Sequence, residues 1–374
     1  MLLEKVKPLS KGQERLLRAL SNDRNEIVGV FGPTGTGKSL LTCAYAIDAT
    51  LQGRYHRFVL VRPIIDVTSG KELTIVELGE MFYETASSYL RDVLKGIIDF
   101  EDVKKLIKEG RLVIADSHFL RGRTFDEDII FLDDAQNLKP ESACEVLMRI
   151  GRGSKFVVAG DPIFQKDIPL EKDGATLIRE SLLGEERAEV VDLGLKDIAR
   201  PGALRGIRLL LEVKMRKREM NDNEQRVFDI IKEKAPDADV LTIIDLRSAK
   251  QKYDIRSEHV PDVLIIAKTG HLGRVVGKGG ERIQAIEKDL ALRARVIELS
   301  LDFIELLTAI HPVPWAVNQI IDVDLAGTEL QIVIRRKGMG PFMGQRAKHI
   351  KFVEDIIKRL IGTGVRVREY MRRY

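Results

Sequence analysis

Cysteine and aromatic residues are scarce in this chain: two cysteines, one tryptophan and an aromatic share of 6% in 374 residues. Cys43 and Cys144 form no CxxC pair, which argues against a disulfide scaffold or a zinc site and suits a reducing cytoplasm. So few aromatics give no support to a base-stacking platform for single strands. No apolar run approaches the ~20 residues that span a bilayer. The opening segment, Met1 to Lys7, carries an early acid and no long apolar stretch, so it does not read as a secretory signal. The expectation is a cytoplasmic protein with no membrane partner.

Net charge is +4, and the two halves differ. Residues 1–200 hold 29 Lys and Arg against 33 Asp and Glu, whereas residues 201–374 hold 32 against 24. A mildly acidic front and a basic back place polyanion contact in the back half. The length suits two or three domains.

Residues 32–39 read Gly32-Pro33-Thr34-Gly35-Thr36-Gly37-Lys38-Ser39, a complete GxxxxGK[ST] loop. An apolar run, Ile27 to Phe31, precedes it, and helical spacing follows. That placement suits a phosphate cradle, because glycines let backbone N–H groups turn toward phosphates at a helix N-terminus. Lys38 is expected to reach the β- and γ-phosphates and Ser39 to sit on Mg²⁺. Four further apolar runs, at 58–61, 112–114, 129–132 and 155–159, read as short strands separated by helices such as 80–98 and 140–150. Continuous rather than alternating apolar strands indicate a parallel sheet covered on both faces, here a RecA-like α/β domain.

The run 129–132 ends in Asp133-Asp134-Ala135-Gln136-Asn137. A carboxylate at the end of a buried strand is costly unless a metal needs it. Asp133 is therefore assigned to Mg²⁺ and Asp134 to the attacking water. Asp161, after the run 155–159 and with Gln165 nearby, is placed where the γ-phosphate can be sensed.

These strings, with Arg62-Pro63, Phe119-Leu120-Arg121-Gly122-Arg123-Thr124, Arg149 to Lys155 and Gly160-Asp161, resemble the PhoH-like ATPase family over roughly residues 1–212. That family is related to the core of superfamily-one helicases. The resemblance implies ATP hydrolysis with Mg²⁺, Gln13 reading adenine and Gln136 linking nucleotide state to substrate. Arg123 and Arg200 meet phosphate charge, across a subunit boundary in a homo-oligomer that family analogy makes a hexameric ring. It also leaves a nuclease or a ribosome-associated factor as a partner. Three departures stand out: Asp134 where the family has Glu, no Gly-Phe-Leu-Pro-Gly pattern in residues 68–76, and a Gly160–Gln165 spacing one residue long.

After a basic linker at 213–222 the pattern changes. A strand at 261–268 leads to Gly270-His271-Leu272-Gly273-Arg274-Val275-Val276-Gly277-Lys278-Gly279-Gly280-Glu281-Arg282-Ile283, then an amphipathic helix. A Gly-x-x-Gly loop joining two helices is the KH arrangement, in which the backbone closes on about four unstacked nucleotides. Gly277, Lys278, Gly279 and Gly280, with Arg274 and Arg282, are expected to bind single-stranded RNA. The plan recurs: a strand at 329–334, a loop Gly344-Gln345-Arg346-Ala347, a helix to about Leu360 and a strand at 365–368. The pair resembles the tandem KH modules of the transcription factor NusA and is expected as two type II-like α+β domains, 223–300 and 301–374. Alanine at the last position of the second loop marks that copy as degenerate. The whole reads as an RNA-dependent ATPase; the alternative is an RNA-binding protein switched by nucleotide with negligible turnover.

Overall fold

The computed structural model describes residues 2–66, 68–69, 71–120, 122–164 and 174–371. Two compact units divide at 203/204, inside the helix Pro201–Lys217, with residues 326–328 grouped with the first.

The first unit is built on six strands: β1 (Ile27–Phe31), β2 (Phe58–Val61), β3 (Leu112–Ala115), β4 (Ile129–Leu132), β5 (Lys155–Gly160) and β6 (Ala188–Asp192). Their order is β3-β2-β4-β5-β1-β6, with every pairing parallel. Alternate residues of one strand feed opposite cores, as period-two geometry requires. Ile129 and Phe131 join the side covered by helices Lys11–Ser21, Lys38–Leu51, Glu80–Val93 and Phe100–Lys108. Ile130 and Leu132 join the side covered by helices Pro140–Leu147 and Gly174–Leu182. The carboxyl ends of β1, β5 and β4, three adjacent strands, carry Gly32, Asp161 and Asp133, so topology brings together residues more than 100 positions apart.

A short antiparallel pair, Ile64–Ile65 with Glu72–Leu73, lies in the segment where the family pattern is missing. β6 lies outside the runs read from sequence: its Ala-Glu-Val-Val-Asp is only half-buried at the sheet edge.

In the second unit, helix Asp222–Lys234 opens with a capping box between Asn221 and Glu224. Three strands follow: β7 (Val240–Asp245), β8 (Val263–Ala267) and β9 (Ala294–Glu298), with β8 central, antiparallel to β7 and parallel to β9. Between β8 and β9 come helix Leu272–Val276, the glycine loop and helix Glu281–Leu290. The order repeats in helix Phe303–Ile310, β10 (Ile320–Ala326), β11 (Glu329–Ile334), helix Arg336–Met343, the loop 344–347, helix Lys348–Ile361 and β12 (Gly364–Glu369). β11 again pairs in parallel with the strand that closes the copy.

The two copies are fastened together. Arg359 of the second donates to Glu224 at 2.7 Å and to the Asp245 carbonyl at 3.0 Å. Tyr253 sets its ring edge-on to Phe352, 6.5 Å between centroids, and its hydroxyl reaches Asp355. Glu224 is 1% exposed and is held as well by Arg218 at 3.0 Å. A carboxylate buried this deeply is tolerated because two guanidinium groups compensate it. Among the described residues no helix is long and apolar enough to cross a membrane.

Candidate nucleotide site and nucleic-acid loop

The phosphate loop turns sharply through Gly35 and Gly37, both at positive φ of 82° and 87°. A Cβ at Gly35 would lie 2.6 Å from that of Ala203, so glycine is needed there for space as well as conformation. Lys38 begins the following helix, and its Nζ donates to the carbonyls of Gly32 at 2.6 Å and Pro33 at 2.8 Å. Burial lowers the Lys38 pKa, while Asp161, Asp133 and Asp134 pull it back up. Burial is the larger influence, so the net shift is downward.

Asp133 is 1% exposed. Its carboxylate accepts from the Tyr89 hydroxyl and the Asp134 backbone N–H and lies 3.5 Å from Arg62. Burial, then the neighbouring Asp134, raises its pKa, and Arg62, Tyr89 and Ser39 oppose that rise. Arg62 bridges the two acids: its Nη2 lies 2.6 Å from Asp134, and its guanidinium stacks 3.7 Å from the Tyr89 ring centre. Asp134 itself adopts left-handed backbone, φ 54° and ψ 43°, at the start of the short turn Ala135–Asn137. For a residue with a Cβ that conformation costs about 1 kcal/mol.

Gln136 ties two strand ends together. Its Nε2 donates to Asp134 Oδ1 at 3.1 Å, and its Oε1 accepts from the Asp161 backbone N–H at 3.0 Å. Asp161 in turn accepts from the backbone of Ile163 and Phe164. Gln13 is likewise buried: it donates to the Thr36 carbonyl at 3.0 Å and accepts from the Leu9 N–H at 2.7 Å. Its polar atoms thus address the phosphate loop as well as the space in front of it.

These groups border a cleft of about 660 Å³. Gln13, Thr34, Gly35, Gly37, Lys38, Ser39, Asp134 and Arg200 line it, joined by Arg62 and Tyr89. Arg123 is absent from that lining: it is exposed ahead of β4, with its guanidinium over the Phe125 ring at 5.2 Å. Gln165 lies outside the described residues. Tyr89 and the clasp formed by Arg62 are what sequence reading missed. Arg62-Pro63 carried only resemblance, and no local signal marks Tyr89, which reaches the acids from a helix 44 residues away.

Among the described residues no three His, Cys, Asp or Glu side chains gather into a metal site. Ser39 and Asp133 fit Mg²⁺ of the kind that arrives with a nucleotide, since that ion needs one carboxylate, a hydroxyl and phosphate oxygens.

In the second unit Gly277, Gly279 and Gly280 all have positive φ, at 78°, 63° and 85°. Lys278 is exposed at the tip. Arg282 and Arg274 are turned to Asp237 instead, the first to its carboxylate at 2.5 Å and the second to its carbonyl at 3.1 Å. Val275 and Ile286 are buried beneath the loop.

Comparison with known proteins agrees with this division. The family described as PhoH-like protein matches residues 5–212, and the KH domain family matches residues 243–311. A PhoH-like protein of Bacillus subtilis is 31% identical over 199 residues, 52% of this chain and 60% of that protein. One from Mycobacterium leprae is 37% identical over 167 residues, 44% of this chain and 46% of that protein. A third, from Synechocystis, is 30% identical over 192 residues, covering 50% and 56%. The chain spans about half the length of the curated relatives it matches.

Proposed function

We propose, given that the chain belongs to the PhoH-like protein family, that it is a Mg²⁺-dependent ATPase that binds single-stranded RNA through its KH region and couples hydrolysis to remodelling of RNA or ribonucleoprotein, as an RNA helicase would. The observation that carries the coupling is Gln136, which joins the acid facing the nucleotide cleft, Asp134, to the end of the neighbouring strand at Asp161. A side chain in that position moves with whatever changes at either end.

In this reading the loop backbone and Lys38 bind the β- and γ-phosphates, and Arg200 meets charge at the cleft edge. Ser39 and Asp133 would hold Mg²⁺, which supplies charge neutralisation at the phosphates when bound. Asp134 orients water, its carboxylate steadied by Gln136. Arg123, exposed and away from its own cleft, suits contact with a neighbour's nucleotide in a homo-oligomer. The domain limits that go with this reading are 1–212 for the ATPase, 213–222 for a linker, and 223–300 and 301–374 for two KH modules.

One observation favours the alternative of a nucleotide-dependent switch. Arg62 engages both Asp133 and Asp134, so water activation requires that clasp to open. Steady-state phosphate release with and without single-stranded RNA, and with DNA of matched sequence, decides between them. RNA-stimulated release supports the motor; a rate that ignores RNA, with RNA affinity that follows ATP, supports the switch.

A further inference from the structure

The matched KH region ends at residue 311, yet the loop at 344–347 has kept the conformation of the glycine loop at 277–280. Gly344 has φ 70° and ψ 167° where Gly277 has 78° and 173°. Arg346 (52°, 29°) follows Gly279 (63°, 15°), and Ala347 (61°, 27°) follows Gly280 (85°, 11°). The correspondence extends to the bonds. Gly280 N–H donates to the Gly277 carbonyl and Ala347 N–H to that of Gly344. Arg282 covers the first glycine of its loop and bonds the Arg274 carbonyl at 2.8 Å. His349 covers Gly344 and bonds the Pro341 carbonyl at 2.9 Å. Two consecutive residues with side chains hold a left-handed path that glycine adopts freely in the other copy.

Charge distinguishes the copies more than glycine does. Residues 335–351 carry Arg335, Arg336, Lys337, Arg346, Lys348 and Lys351 and no acid. The equivalent stretch, 268–284, carries Lys268, Arg274, Lys278 and Arg282 against Glu281. In that first stretch Arg282 is committed to Asp237, and Lys268 lies within 4 Å of Glu212 and Asp239. In the second, Arg335, Lys337, Arg346 and Lys351 are exposed and make no ion pair among the described residues.

We infer that the second loop, Gly344 to Ala347, with the exposed cations Arg335, Lys337, Arg346 and Lys351, is the principal phosphate-binding surface of the basic half and binds the backbone of single-stranded RNA more strongly than the glycine loop does. This rests on the RNA-binding reading above and deepens it. Release of counterions from phosphate scales with the number of free cations brought to the strand, and the second copy offers four where the first offers Lys278 and Arg274, the latter bonded only to a backbone carbonyl. Arg346 stands at the tip of the loop, where an approaching phosphate meets its guanidinium along with the turned backbone.

The test uses the full chain and a labelled oligouridylate of about 20 nucleotides, long enough for two four-nucleotide contacts. Affinity is read by fluorescence anisotropy from about 50 to 200 mM salt. Arg346→Glu with Lys351→Glu is expected to weaken binding at least about tenfold and to flatten the salt slope by about 1.4, two contacts on a single strand. Lys278→Asp with Gly279→Asp is expected to weaken it less. Arg335→Glu with Lys337→Glu, on exposed positions at the end of helix Arg336–Met343 opposite the loop, repeats the first result independently of the loop conformation. A loss smaller for the 346/351 and 335/337 variants than for the 278/279 variant overturns the inference and leaves the RNA-binding ATPase standing. Failure of the unaltered chain to bind the oligonucleotide overturns both.

Discussion

Arg62 and Asp134 are joined by an ion pair of 2.6 Å, and the same guanidinium stacks on Tyr89 while reaching Asp133. This cation offsets the repulsion between buried Asp133 and its half-buried neighbour Asp134. Replacing it with Gln removes the opposing influence on Asp133, whose pKa burial already raises. The acid limb of the pH–rate profile for phosphate release should then move upward. An unmoved acid limb would show that Asp133 is not governed by Arg62.

Asp133 should limit stability where it serves function. Because its folded-state pKa is raised, the folded chain holds that proton more tightly than the unfolded chain. Its contribution to stability therefore falls as pH rises from the ordinary carboxylate value through the raised one. Asp133→Asn removes the charge and keeps one of the two acceptor oxygens. At neutral pH it should unfold at a higher temperature and have no ATPase activity. Calorimetry and phosphate release check both halves.

Lys38→Ala should abolish ATP hydrolysis and leave affinity for single-stranded RNA within about twofold, since the loop and the KH region belong to separate units. Equal loss of both activities would contradict the division of labour.

Gln136 admits a paired test. Gln136→Ala leaves the buried Asp161 N–H without its acceptor, at a cost of about 1–3 kcal/mol. Gln136→Glu restores that acceptor but sets a carboxylate against Asp134. Both should lose stimulation by RNA, and the like charge set against Asp134 should keep the Glu form from regaining full thermal stability. Stimulation that survives in either variant would remove Gln136 from the coupling.

Lys155 offers a pH test away from the site. It is buried at the start of β5, donates to the carbonyls of Leu20 and Asn22, and burial lowers its pKa to about 8. Between that value and its ordinary 10.5 the unfolded chain binds more protons, so stability from this group rises with pH. From pH 8 to 10.5 the unfolding free energy should grow relative to Lys155→Met by about 1 kcal/mol or more. Denaturant unfolding of the two proteins side by side measures it.

Contiguous chemistry was legible in the chain. The phosphate loop, the acids ending β4 and the glycine loop each occupy a few adjacent residues, and the strands beside them are uninterrupted apolar runs. What converges from afar was not: Tyr89 meets Asp133 from a surface helix, and no period or motif encodes that meeting. β6 went unread because an edge strand needs no continuous apolar run. At Ala347 the sequence did not reveal the backbone conformation. Its identity suggested a lost loop, yet a left-handed residue costs only about 1–2 kcal/mol, which the packing of His349 on Gly344 and the surrounding fold can offset.

The bonds that fasten the two copies, Arg359 on Glu224 and Tyr253 on Phe352, turn a pair of contacts into a ruler. Two loops set on one rigid body stand a constant distance apart, so a strand too short to reach both gains nothing from the second. Affinity plotted against oligonucleotide length should then climb in a single step at the spanning length, rather than by equal increments per nucleotide.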